Sequence, residues 1–101
     1  MIRHVVCFKF NPGAPESARA AMAEGLQSLP GRVSVIRQWS QGANTQSSDR
    51  SYDFSLIADF DSLGDLGVYQ DHPAHQEVVT TLIRPIVNSV VVVDFEVPSG
   101  S

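Results

Sequence analysis

Residues 2–10, IRHVVCFKF, alternate with period two. That places Ile2, His4, Val6, Phe8 and Phe10 on one face of a strand and Arg3, Val5, Cys7 and Lys9 on the other. Apolar residues on both faces predict a strand covered on both. NPGAP at 11–15 is a turn, and 16–29 carries Ala18, Ala21, Met22, Gly25, Leu26 and Leu29 at helical spacing. Pro30-Gly31 ends that helix, and Gly25 either weakens it or admits a close neighbour. Residues 33–39, VSVIRQW, read as a strand closed by Trp39 as an anchor, and 40–51 as a polar loop. YDFSLIADF at 52–60 alternates again, with Tyr52, Phe54, Leu56, Ala58 and Phe60 on one side.

An Asp/Ser cap opens a short helical stretch over 61–71, and Pro73 suits the first turn of a second one over 73–85. Pro85 closes it. Residues 88–97, NSVVVVDFEV, form the last strand. The order is β-α-β-β-α-β. Right-handed crossovers fold this order into an α+β, ferredoxin-like, four-stranded antiparallel sheet with both helices on one face. Val5, Cys7, Val91, Val93 and Phe95 then lie on the uncovered face. A bare apolar face of that size predicts a homodimer through the open sheet face. One domain over 1–97 with a flexible tail at 98–101 accounts for the chain.

Composition removes several function classes. The seven Lys and Arg are scattered and the net charge is −4, so no cation cluster suits a phosphate backbone, and nucleic acid is not an expected partner. No apolar run approaches the ~20 residues of a membrane span. The single cysteine, Cys7, forms no internal disulfide, which predicts a reducing, cytoplasmic setting. Cys7 also sits on the opposite strand face from His4, a poor geometry for a Cys/His nucleophile pair.

The densest polar constellation is Tyr69-Gln70-Asp71-His72-Pro73-Ala74-His75. His72 falls at the helix cap and His75 in the first turn. Positive potential there disfavours the imidazolium, and a neutral imidazole accepts a proton as a general base must. Tyr69 offers a hydroxyl donor. His4 lies on the face packed under the helices, so His4 and His75 can share one cavity, and Asp94 on the neighbouring strand can orient a histidine. Each residue has a plainer reading: His4 as a core histidine, His72 as a cap, Tyr69 as a core plug. A metal held by His4, His72 and His75 is the rival, but no Cys, Asp or Glu at diagnostic spacing completes it, so neither metal nor cofactor is expected.

MIRHVVCFKF, Leu29-Pro30, Tyr52-Asp53-Phe54, Tyr69…His72-Pro73-Ala74-His75 and Val93-Asp94-Phe95-Glu96 together resemble the stress-responsive dimeric α/β-barrel family over nearly the whole chain. The resemblance implies a dimeric α/β barrel. One member, the plant olivetolic acid cyclase, closes a linear polyketide by aldol condensation without a cofactor. By that resemblance its general base falls on His75, its assisting tyrosine on Tyr69 and its strand-one histidine on His4. Its apolar pocket positions fall on Phe8, Leu56 and Ala58. Met22 replaces a bulky aromatic on the first helix, and Asp94 and His72 stand behind the reacting groups. The implied partner is a small apolar carbonyl compound. Two other readings stay open: a non-catalytic stress-related assembly or ligand carrier, and a haem- or quinone-handling monooxygenase.

Overall fold

The computed structural model describes residues 1–98. The tail expected at 98–101 lies, from residue 99 on, outside the described residues. The elements are β1 (Ile2–Phe10), α1 (Glu16–Gln27), α2 (Leu29–Arg32), β2 (Gln38–Ala43), β3 (Phe54–Phe60), α3 (Leu63–Asp71), α4 (Pro73–Val78) and β4 (Val87–Glu96). Between α4 and β4 the helix widens into a π-helical turn, Val79–Ile83. The strands form one antiparallel sheet in the order β2-β3-β1-β4. This is the ferredoxin-like α+β arrangement.

β1 is central, and its alternation decides what each face does. His4, Val6, Phe8 and Phe10 are buried under the helices with Leu56, Ala58 and Phe60 of β3. The helices contribute Met22, Leu26 and Leu29 from one side and Leu66, Tyr69 and Val78 from the other. Gly25 of α1 is the close approach that its place in the stripe suggests: an added Cβ would collide with Leu82 Cδ1.

Several local expectations are corrected. The helix over 16–29 stops at Gln27, where the Ser28 hydroxyl donates to the Gly25 carbonyl at 2.6 Å. Pro30 then sits inside a new turn, α2, because a first-turn residue needs no N–H partner. The strand expected over 33–39 lies instead at 38–43. Val33 is a core plug in the connection, and the polar run Gln38–Ala43 pairs because an edge strand needs only one buried side. Trp39 is therefore an inward residue within β2, 6.2 Å from Tyr69 between ring centroids, and not an end anchor. Tyr52 precedes β3 and turns to the open face, where Lys9 Nζ lies 5.1 Å from its ring and Ser89 Oγ lies 3.3 Å from its hydroxyl. The helix over 73–85 begins as expected but closes through an Arg84 N–H bond to the Val79 carbonyl at 3.0 Å, just ahead of Pro85, which has no N–H to extend an α ladder.

The open face carries a buried charge that its sequence did not announce. Asp59 is 1% exposed and meets Arg3 through two bonds, Nε to Oδ1 at 2.9 Å and Nη2 to Oδ2 at 3.0 Å. Such a fork satisfies both carboxylate oxygens. Around it, Ile57, Val91, Val93 and Phe95 remain exposed.

Candidate active site: three rings on one cavity

Three elements converge on a cavity of about 230 Å³ on the helix side of the sheet. β1 supplies His4, the last turn of α3 supplies Tyr69, and the first turn of α4 supplies His75. Tyr69 is the hub: its ring centroid lies 6.1 Å from that of His4 and 4.5 Å from that of His75. Val6, Phe8 and Leu56 form the apolar wall on the sheet, and Val79 and Ile83 of the π-helical turn face them.

The break between α3 and α4 fixes the histidines. His72 ends α3 in an extended conformation, and its Nδ1 accepts the Ala74 N–H at 3.0 Å. It caps α4 and does not line the cavity. His75 Nδ1 lies 3.0 Å from the Gln70 carbonyl. A carbonyl only accepts, so Nδ1 carries the proton and Nε2 keeps its lone pair. Burial lowers the pKa of His75, with the charges of His4 and His72 adding to the effect and the Gln70 bond opposing it. Burial is thus the leading cause, where the sequence suggested the helix end. The result at neutral pH is a neutral imidazole whose Nε2 has no hydrogen-bond partner among the described residues.

Tyr69 is 1% exposed, and burial raises its pKa well above that of a free phenol. It therefore stays protonated, and among the described residues its hydroxyl makes no hydrogen bond. His4 is 5% exposed and pairs in register with Asp94 on β4, Nδ1 to Oδ1 at 2.5 Å. The carboxylate holds the Nδ1 proton, so a neutral His4 also offers Nε2 as an acceptor. It donates to a substrate oxygen only as the imidazolium.

The expected site residues thus divide. His4, Tyr69, His75, Phe8 and Leu56 share the cavity, and Asp94 stands behind His4. Ala58 and Met22, both 0% exposed, are core residues and do not line it, because their neighbours leave no space at them. Val90 and Val92 do line it, on the same face of β4 as Asp94. The period of two that gives Asp94 its face contained this assignment. The contribution of Val79 and Ile83 depends on the π-helical turn. Among the described residues no group of three or more His, Cys, Asp or Glu is placed to hold a metal ion, and no helix is long and apolar enough to cross a membrane.

A ferredoxin-like sheet with a His/Tyr cavity under its helices defines a class of small α+β proteins. Within that class, the chain belongs to the stress responsive A/B barrel domain (Dabb) family, whose profile matches residues 2–97. It is similar to an uncharacterised protein of Streptomyces coelicolor, 35% identical over 78 residues, which are 75% of this chain and 80% of that one. A dimeric ferredoxin-like protein of unknown function from Thermobifida fusca superposes with a TM-score of 0.85 at 28% identity, over 95% of this chain and 90% of that one. The hydroxynitrile lyase of Passiflora edulis superposes with a TM-score of 0.84 at 13% identity, over 99% and 95%, a likeness of fold.

Proposed function

We propose that this chain is the subunit of a homodimeric, cofactor-free enzyme that moves a proton next to the carbonyl of a small apolar compound. The observation that carries this reading is the sharing of one apolar cavity by His4, Tyr69 and His75. His75 Nε2 takes the proton from the carbon beside the carbonyl. The C–H electron pair becomes the enolate C=C bond, and the carbonyl π pair moves onto oxygen. The Tyr69 hydroxyl, kept protonated by its burial and without another partner among the described residues, donates to that oxygen. A fixed donor aimed at developing charge stabilises the transition state more than the ground state. His4, held by Asp94, is the second acceptor and receives a substrate hydroxyl. The enolate then either takes its proton back or closes onto a second carbonyl. The lyase name carried by the Passiflora edulis protein is in keeping with chemistry on this fold.

Two sheets facing each other would cover Ile57, Val91, Val93 and Phe95 and complete a dimeric barrel. The dimeric Thermobifida fusca relative supports this. The unpaired Cys7 suits a reducing compartment such as the cytoplasm.

Hydrogen–deuterium exchange at the α-carbon of small ketones and aldehydes, followed by proton NMR in heavy water, tests the reading without a known product. The protein accelerates exchange of at least one compound, and His75→Ala lowers that rate about a hundredfold or more, the usual range for removing a general base. Tyr69→Phe lowers it as well. Equal rates for wild type and both variants would leave the fold as a non-catalytic assembly or ligand carrier.

A further inference from the structure

A second cavity, larger than the first at about 370 Å³, opens at the other end of the same strand face. Phe10 at the end of β1 and Phe54 at the start of β3 form its floor, and Ala20 and Ala23 of α1 form a low apolar wall. It shares no lining residue with the His/Tyr cavity. The Phe8 and Phe54 rings, 6.2 Å apart between centroids, stand between them, one facing each space.

Arg19 is the distinctive group. Its guanidinium carbon lies 4.9 Å from the centroid of the Phe10 ring, and its Nε donates to the Ala14 carbonyl at 3.1 Å. These two contacts hold the group in place, yet among the described residues its two terminal nitrogens have no hydrogen-bond partner. Glu16 and Asp53 line the same cavity, but neither pairs with Arg19. Asp53 is itself fixed: one oxygen accepts the Phe10 N–H at 2.8 Å, and its own N–H donates to the Phe8 carbonyl at 2.8 Å. Among the described residues the other oxygen has no hydrogen-bond partner.

One oriented cation, two carboxylates and an apolar floor select a ligand by charge. A simple anion meets Arg19 but also two like charges, which oppose it. A simple cation meets the reverse conflict with Arg19. A zwitterion satisfies both, its carboxylate taking the fork of terminal N–H groups and its ammonium the acidic side. We propose that this cleft binds a free α-amino acid with an apolar side chain. The carboxylate sits on Arg19, the ammonium between Glu16 and Asp53, and the side chain on Phe10 and Phe54.

Isothermal titration of the full chain with L-leucine tests this. Leucine binds saturably, one per chain. Arg19→Gln weakens it about tenfold or more, as loss of a charged hydrogen-bonding pair does. Glu16→Gln, at an exposed position that leaves the fold intact, weakens it by a smaller factor. Leucinamide, which lacks the carboxylate, and N-acetyl-leucine, which lacks the ammonium, each bind about tenfold more weakly than leucine. His75→Ala leaves leucine binding unchanged, because the two cavities are separate. The proposal is overturned by the absence of saturable binding, by full affinity in both Arg19→Gln and Glu16→Gln, by N-acetyl-leucine binding as tightly as leucine, or by loss of binding in His75→Ala.

Discussion

The two faces of β1 show how differently one strand's side chains are used. Toward the helices, His4, Val6, Phe8 and Phe10 are all less than 9% exposed, and the polar group among them has its partner in Asp94 on the adjacent strand. Along β1 this face is covered within one chain. Toward the other side, Arg3, Val5, Cys7 and Lys9 are half-buried beside Ile57, Val91, Val93 and Phe95, which are 38–60% exposed. That face is apolar but unfinished. The difference separates two parts: the helix side carries the His/Tyr cavity, with Val90 and Val92 at its half-exposed wall, and the bare side carries the apolar surface that a second sheet would cover.

The comparison breaks most visibly at Phe8. Phe8→Ala opens a void in the closed face, and denaturant unfolding should show a loss of about 3–5 kcal/mol. On the open face, Val93→Asp should leave far-UV circular dichroism unchanged, since the position is 60% exposed in one chain. Sedimentation should nevertheless shift from dimer to monomer, as a charge placed in an apolar interface opposes its burial. Equal destabilisation of the monomer by both substitutions would remove the distinction between the faces.

Asp94→Asn tests the support behind the site with a smaller effect. The amide no longer holds the Nδ1 proton of His4 as a carboxylate does, so α-proton exchange of a hydroxy ketone, whose hydroxyl His4 receives, should slow about tenfold with the fold retained. pH gives the smallest and most local test. The pKa of His75 is lowered on folding, so its neutral form is the one the fold favours. Its contribution to stability is complete above the ordinary imidazole value of about 6.5 and is lost as pH falls through the lower folded value. Thermal melts of wild type should therefore decline more between neutral and mildly acidic pH than melts of His75→Gln. Exchange activity should persist to a lower pH than an ordinary imidazole base would allow.

Much of this was legible in the chain because it depends on period and punctuation. The alternation of β1 placed His4 with Phe8, and Pro73 placed His72 at a cap and His75 one turn on. What escaped was set by tertiary contacts. β2 moved to the polar segment Gln38–Ala43 because an edge strand is chosen by its pairing with β3, while the apolar Val33 was drawn into the core ahead of it. Met22 and Ala58 have the right period for the cavity face, yet neighbouring side chains fill the space there. The inward turn of Val79 and Ile83 rests on a π-helical bond that no spacing rule marks in advance. The Arg3–Asp59 fork joins residues 56 positions apart, a separation at which charge pairing has no sequence signal.

The proposed chemistry rests on a neutral His75 with its proton on Nδ1 and its Nε2 open to the cavity. Nitrogen-15 NMR of the histidine rings at neutral pH, with and without a small apolar ketone, reads this state directly. We expect His75 to show a protonated Nδ1 and an unprotonated Nε2, with Nε2 shifting as the ketone is added. A His75 imidazolium, or the proton on Nε2 together with no response to any carbonyl compound, would contradict it.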